Sequence, residues 1–287
     1  MNKISLISKS LKIHETLFTL PFAYFGTLFA SNGSFELKNI ILVTIALVLI
    51  RSFGMGINRY IDLEIDKLNV RTKSRPLASG SISKNTILFV ILVCAALFII
   101  FCYFINEFAF YCSFIVVIIM WIYPYTKRFT FLCSFVLGFI LSIAPVGGWV
   151  VVRSSMNLDI YLFSLAIMLW ASSFDMIYHT QDYNFQKKYN LKSFGSKFGI
   201  KNTFIFAVFL DLLSMVVFVC FGYSSELNII GEVRIYFIGC LIGLLIHLIK
   251  YIRNWPKSDK INLRPEFFRW NTMFSLIISS FAIISII

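Results

Sequence analysis

Long apolar runs alternate with short polar stretches along this chain, at 15–31, 39–57, 86–106, 108–123, 131–152, 159–178, 202–223, 234–249 and 267–287. A helix that crosses a bilayer needs about 20 largely apolar residues, and the runs match that requirement, those at 108–123 and 234–249 being the shortest. The pattern predicts nine transmembrane helices, with the breaks at 32–35, 107 and 222–228 reading as tight turns between neighbours. Lys3, Lys9 and Lys12 precede the first run and no small-residue cleavage site follows it, so that run is expected to remain as a first helix rather than be removed as a signal peptide.

Composition agrees. Of 287 residues, 59% are apolar and 14% charged, against roughly 25% charged in a soluble domain, which excludes a water-soluble enzyme. Six cysteines are too few for a disulfide scaffold and all fall inside predicted helices, and the three histidines, His14, His179 and His247, are scattered, so neither set has metal-ligand spacing. No internal repeat is evident. The formal charge of +12 suits nucleic acid, anionic lipid or an anionic substrate, and its distribution decides between them. Lys and Arg number three in 1–14, six in 58–85, two in 124–130, five in 179–201 and five in 250–266, whereas the alternate loops hold only Lys38, Arg153 and Arg234. This is the positive-inside pattern. It predicts one multi-pass domain over 1–287 in the cell (inner) membrane, with the N-terminus and basic loops cytoplasmic and the C-terminus external. No compact basic soluble domain remains to bind nucleic acid.

Fourteen acidic residues serve the whole chain, and five of them, Asp62, Glu64, Asp66, Asp175 and Asp182, lie in two short stretches on the expected cytoplasmic side. Asn58, Asp62 and Asp66 follow at i, i+4 and i+8, so a continuing helix stacks them on one face. Hard oxygen ligands with open positions suit Mg2+, which keeps several waters and is shared with substrate phosphates. The plainer reading is a solvated acidic face neutralised by Arg59, Lys67 and Arg71. The second stretch runs through Asp175, Tyr178, Gln181, Asp182 and Gln186 to Lys187, Lys188 and Lys192, and alone it reads as a charged loop. Together, carboxylates with cations on one side of the membrane point to a diphosphate site. Arg51 lies about two turns before Asn58, on the same face and about 10 Å deeper. A charge at that depth is costly unless paired. It either meets an acid of another helix, such as Asp211, or receives an anionic group of a substrate.

These residues resemble the UbiA intramembrane prenyltransferases. "NRYIDLEID" (58–66) is similar to the family's first aspartate motif and "NVRTKSRPLASG" (69–80) to the segment after it. "YPYTKRFT" (123–130) with "GFILSIAPVGGW" (138–149) resembles the middle signature of the 4-hydroxybenzoate branch, and "FDMIYHTQDYNFQKKYNLKSFGSKFG" (174–199) that branch's second aspartate region. One departure stands out. The second motif usually ends in Asp, and here Asp182 is followed four residues later by Gln186, which offers only a neutral oxygen or a hold on a metal-bound water, with Asp175 left as the compensating acid.

The resemblance implies an all-α bundle of nine transmembrane helices around a central cavity. It implies Mg2+ held by Asn58, Asp62 and Asp66 on one side and Asp182 on the other, and a polyprenyl diphosphate bound with help from Arg75, Lys127 and Arg128. Tyr123 and Tyr178 would steady the allylic cation, unless they are ordinary interfacial aromatics, and Asp175 would line the substrate site. Arg51 would hold the carboxylate of an aromatic acid acceptor, with the isoprenoid tail leaving sideways into membrane lipid. Asp62, Asp66, Asp182 and Arg51 are thus the expected catalytic set. The acceptor is 4-hydroxybenzoate or, on the related menaquinone route, 1,4-dihydroxy-6-naphthoate, since one arginine serves either acid. A transporter of an anionic metabolite would also show buried charge and basic loops, but it predicts repeats or broken helices, which the sequence lacks. A scaffold subunit explains neither acidic cluster.

Overall fold

The computed structural model describes residues 3–12, 16, 18–155, 157–223, 232–256, 263 and 266–287; His14 and residues 224–231 lie outside them. Among the described residues the regular structure is helical: α1 Lys3–Leu11, α2 Leu20–Ala30, α3 Leu37–Ile61, α4 Leu63–Leu68, α5 Lys84–Ile105, α6 Glu107–Phe129, α7 Cys133–Val152, α8 Leu158–His179, α9 Tyr183–Lys188, α10 Phe194–Phe198, α11 Ile200–Tyr223, α12 Val233–Asn254 and α13 Glu266–Ile284. Eight of these are long and apolar enough to cross a membrane, and α2, at 11 residues, is the shorter ninth.

The shortness of α2 has a local cause. The expected run began at 15, but Thr19 N–H bonds Thr16 O at 2.9 Å in a turn before Pro21 sets the first helical residues. What α2 lacks in length it recovers in close packing on α7. A Cβ on Gly26 would overlap the Pro145 carbonyl oxygen, and one on Gly148 the Ala23 carbonyl oxygen, so the two glycines let the backbones touch as small residues do between membrane helices.

Polar caps fix the helix ends. Ser83, Asn106 and Asn157 accept from Thr86, Ala109 and Asp159 N–H, and Asn106 Nδ2 also donates to Val150 O at 2.7 Å, tying the α5–α6 turn to α7. Neighbours pair in the order α3–α5–α6–α7–α8–α11–α12–α13, and α13 returns to α2, which closes the bundle. Helix α8 is the most buried of the long helices, with Phe163, Ala166, Ile167, Trp170 and Ala171 fully buried. Helix α5 instead turns Phe89, Leu92, Leu97, Ile100 and Phe104 outward, a surface suited to lipid. The loops gather at two ends. One end holds the α2–α3 turn, Asn106, Arg153 and the chain's last residues, joined by Arg153 Nε to Ala30 O at 2.6 Å and Glu232 N to Ser285 O at 2.8 Å. The other holds 62–83, 127–133 and 180–199.

Candidate active site

Helix α3 does not run unbroken through its acidic face. It ends at Ile61, Asp62 sits at φ −88°, ψ 5°, and α4 begins at Leu63. The i→i−4 bonds nevertheless continue across the break, from Asp62 N–H to Asn58 O at 3.0 Å and from Asp66 N–H to Asp62 O at 2.7 Å, so Asn58, Asp62 and Asp66 still share one wall of a cavity. The segment after α4 folds back over them, with Thr72 Oγ1 on Asp66 O at 3.1 Å. Arg75 Nη1 then donates to both Asp66 carboxylate oxygens at 2.7 Å.

Helix α6 supplies the facing wall. Tyr123 and Lys127 are one turn apart and both line the cavity, and Lys127 Nζ donates to Asp62 Oδ2. Burial raises the Asp62 carboxyl above its ordinary range, while the adjacent Lys127 ammonium pulls it down. Arg128, one residue on, points off another side of the helix: it lies over the Tyr125 ring, donates to Ile61 O at 3.1 Å and does not line the cavity. It remains at the rim, within electrostatic reach of Asp62.

The second acidic stretch closes the cavity from α8. Asp182 is met by Arg71, whose Nε reaches Oδ1 at 2.9 Å and whose Nη2 reaches Oδ2, and by Asn69 Nδ2 at 2.9 Å. Arg71 Nη1 also donates to the Tyr178 hydroxyl at 2.7 Å. Burial opposes the Arg71 charge, yet these bonds to Asp182 and Tyr178 outweigh it and lift the guanidinium further above its ordinary value. Gln186 differs from expectation. Its Oε1 accepts from Ser193 Oγ at 2.5 Å and its Nε2 meets His179 Nδ1 at 3.3 Å, so the side chain is held by a capping serine and a histidine. His179 Nε2 in turn faces Asp175 Oδ2 at 3.5 Å.

These walls enclose about 610 Å3. Lys12, Arg51, Arg59, Arg71, Arg75 and Lys127 supply cations and Asp62, Asp66, Asp175 and Asp182 anions to the lining. Arg71, Asn69 and His179 are not among the residues to which the sequence points, although Arg71 lies inside "NVRTKSRPLASG", where it reads only as a counter-charge to the acidic face. At the inner end, Arg51 lies over the Phe18 ring at 5.8 Å and lines both this cavity and a second, apolar one of about 130 Å3 between α3, α5, α6 and α7. Asp211 is not its partner: that carboxylate is engaged by Lys250 and Tyr251 between α11 and α12.

Among the described residues no three His, Cys, Asp or Glu side chains come together as a ready metal ligand set. The donor chemistry fits Mg2+ all the same. Asn58, Asp62, Asp66 and Asp182 bring hard oxygens to one cavity, and Asp62 Oδ1 is buried with no hydrogen-bond partner among the described residues. An acceptor left so is costly until a donor or cation reaches it.

A membrane bundle with a charged cavity at one end, backed by an apolar one, has the form of an intramembrane enzyme. The chain belongs to the UbiA prenyltransferase family, whose sequence profile matches residues 19–272, and it is a prenyltransferase. It is similar to the 4-hydroxybenzoate octaprenyltransferase of Haemophilus ducreyi, 32% identical over 227 residues, 78% of each chain. Its fold matches an apo UbiA homolog from Aeropyrum pernix K1 with TM-score 0.81 at 27% identity, over 94% of this chain and 97% of that one. A UbiA homolog from Archaeoglobus fulgidus bound to GPP and Mg2+ shares the fold at 20% identity, with TM-score 0.73 over 97% and 99%.

Proposed function

We propose that this prenyltransferase moves a polyprenyl group from its diphosphate to 4-hydroxybenzoate, with Mg2+ as cofactor, in quinone biosynthesis. The observation that carries this reading is the gradient along the cavity: paired acids and bases at the mouth, Arg51 at the inner end, apolar space beyond. The name of the Haemophilus relative supports the acceptor, and the GPP and Mg2+ in the Archaeoglobus homolog support the donor and the metal.

Asn58, Asp62, Asp66 and Asp182 would hold Mg2+, which when bound offsets the diphosphate's charge and stabilises it as a leaving group. Arg71, Arg75 and Lys127 now rest on those same carboxylates. A diphosphate entering with its cation offers each side a new partner, so the three basic groups turn to phosphate oxygens, with Arg128 at the rim. The allylic C–O bond breaks with its electron pair on the diphosphate. Tyr123 and Tyr178 present ring faces to the cation, and the apolar cavity takes the isoprenoid chain and keeps water out. Arg51 binds the acceptor's carboxylate and so aims the carbon ortho to its hydroxyl. The enzyme sits in the cell's inner membrane with its N-terminus and acidic loops cytoplasmic and its C-terminus external, a reading that the loop charges support.

The test is a membrane-fraction assay with labelled geranyl or longer diphosphate, 4-hydroxybenzoate against 1,4-dihydroxy-6-naphthoate, with and without EDTA. Prenylated 4-hydroxybenzoate, lost with EDTA and in Asp62→Ala, is expected. Product from the naphthoate alone moves the acceptor assignment, and no product with no diphosphate release overturns the reaction.

A further inference from the structure

The substitution releases a ring proton, and the cavity holds four carboxylates that differ in what already binds them. Lys127, Arg75 and Arg71 hydrogen-bond Asp62, Asp66 and Asp182. Asp175 Oδ2 is buried with no hydrogen-bond partner among the described residues, and its side chain lines the cavity. Tyr123 from α6 and Cys133 from α7 act electrostatically with Asp175, but a phenol and a thiol are proton donors at neutral pH. Asp182, beyond His179, is committed to Arg71 and Asn69.

Behind Asp175 stands a chain of polar side chains that begins at a helix cap. Ser193 Oγ accepts Ser196 N–H at 3.0 Å at the start of α10, which leaves its hydroxyl proton for Gln186 Oε1. A flipped amide would set two donors on that oxygen and leave the hydroxyl proton unused, so the cap orients the amide with Nε2 toward His179 Nδ1. A nitrogen that accepts from Gln186 bears no hydrogen, and neutral His179 therefore carries it on Nε2, the atom facing Asp175 at 3.5 Å. Such contacts are often long before substrate arrives and tighten afterwards.

We propose that Asp175 is the base that takes the ring proton, and that His179, held as its Nε2–H tautomer by Gln186 and Ser193, is the positioning residue that steadies the ionised carboxylate. This rests on the prenyl-transfer reading above. The ring carbon uses a π electron pair to form the new C–C bond as the diphosphate departs. The C–H electrons then restore aromaticity while the proton passes to an Asp175 oxygen, and His179 keeps its own proton throughout. Gln186, read from sequence as a lost acid, thereby acquires a role that an acid would spoil, since a carboxylate there would draw a proton onto Nδ1.

The experiment compares ordinary 4-hydroxybenzoate with the acid deuterated at both carbons ortho to the hydroxyl, using full-length protein in membranes. Asp175→Asn is expected to lower kcat by about a hundredfold or more with KM for the diphosphate unchanged. His179→Ala and Gln186→Leu are expected to lower kcat by about tenfold, a part of that effect, and to show a larger deuterium isotope effect than the parent enzyme because proton loss has become slower. His179→Asn, which keeps an N–H donor, restores much of the rate and shrinks the isotope effect. An unchanged isotope effect in His179→Ala and Gln186→Leu, or an Asn variant no better than Ala, overturns the assignment. A parent enzyme that neither forms product nor releases diphosphate overturns the reaction itself, a different result.

Discussion

In the proposed reaction Arg51 binds the carboxylate of the acceptor, whichever aromatic acid that is. It lies at membrane depth, where a charge costs several kcal/mol unless an anion meets it, and it stands at the seam between the polar and apolar cavities. A charge-assisted hydrogen bond contributes about 1.5–3 kcal/mol, so Arg51→Ala should raise KM for the aromatic acid by roughly tenfold to a hundredfold while KM for the diphosphate stays put. Arg51→Lys keeps the charge without the planar fork and should fall between. Acceptor titrations at saturating diphosphate check this; a rise in the diphosphate KM instead would move Arg51 to the leaving group. Arg51, Asn58, Asp62 and Asp66 were readable because their spacing shows that they share a helix face, whereas Arg75, Tyr123, Lys127 and Asp182 entered through the family resemblance. The partners Arg71 and Asp182 stand 111 residues apart, and no local pattern shows which loop folds over which. For the same reason Gln186 looked like a weakened ligand, when its partners are a capping serine and a histidine one helix away.

At the scale of elements, a second buried charge cluster fastens the helices that back the site. Asp211 on α11 accepts Lys250 Nζ at 2.6 Å and Tyr251 OH at 2.7 Å from α12, and Tyr251 reaches Ser173 of α8 at 3.1 Å. Lys250 and Asp211 are each 1% exposed. Removing one member leaves the other charge buried, which costs about 3–5 kcal/mol. Asp211→Ala should therefore lower the thermal midpoint in detergent markedly, and the double variant Asp211→Leu with Lys250→Met should recover most of it; a single variant as stable as the parent would mean water reaches the pair. Helix positions themselves were legible to within a few residues, because burial in lipid demands long apolar runs and polar residues mark their ends. Run 15–31 yielded only Leu20–Ala30, since hydropathy registers apolar content and not the turn at Thr16–Thr19. The Asp211–Lys250 pair was not legible, because apolar periodicity does not tell which helix each one meets.

Over the whole molecule, the cavity mouth and the basic loops 62–83, 127–133 and 180–199 share one end of the bundle, while the sparsely charged turns share the other. A diphosphate is too polar to cross the hydrocarbon, so in the proposed reaction the mouth has to open to the compartment that supplies it, which the proposed orientation makes the cytoplasm. Ser81 and Ser34 are exposed at the two opposite ends, and all six native cysteines are free thiols that can be replaced beforehand. In such a background, Ser81→Cys should react with a membrane-impermeant maleimide only in inverted vesicles or after permeabilisation, and Ser34→Cys in intact cells. The reverse labelling would put the mouth outside. The diphosphate would then have to be made or exported there, and the basic loops would owe their charge to the substrate alone rather than to topology as well.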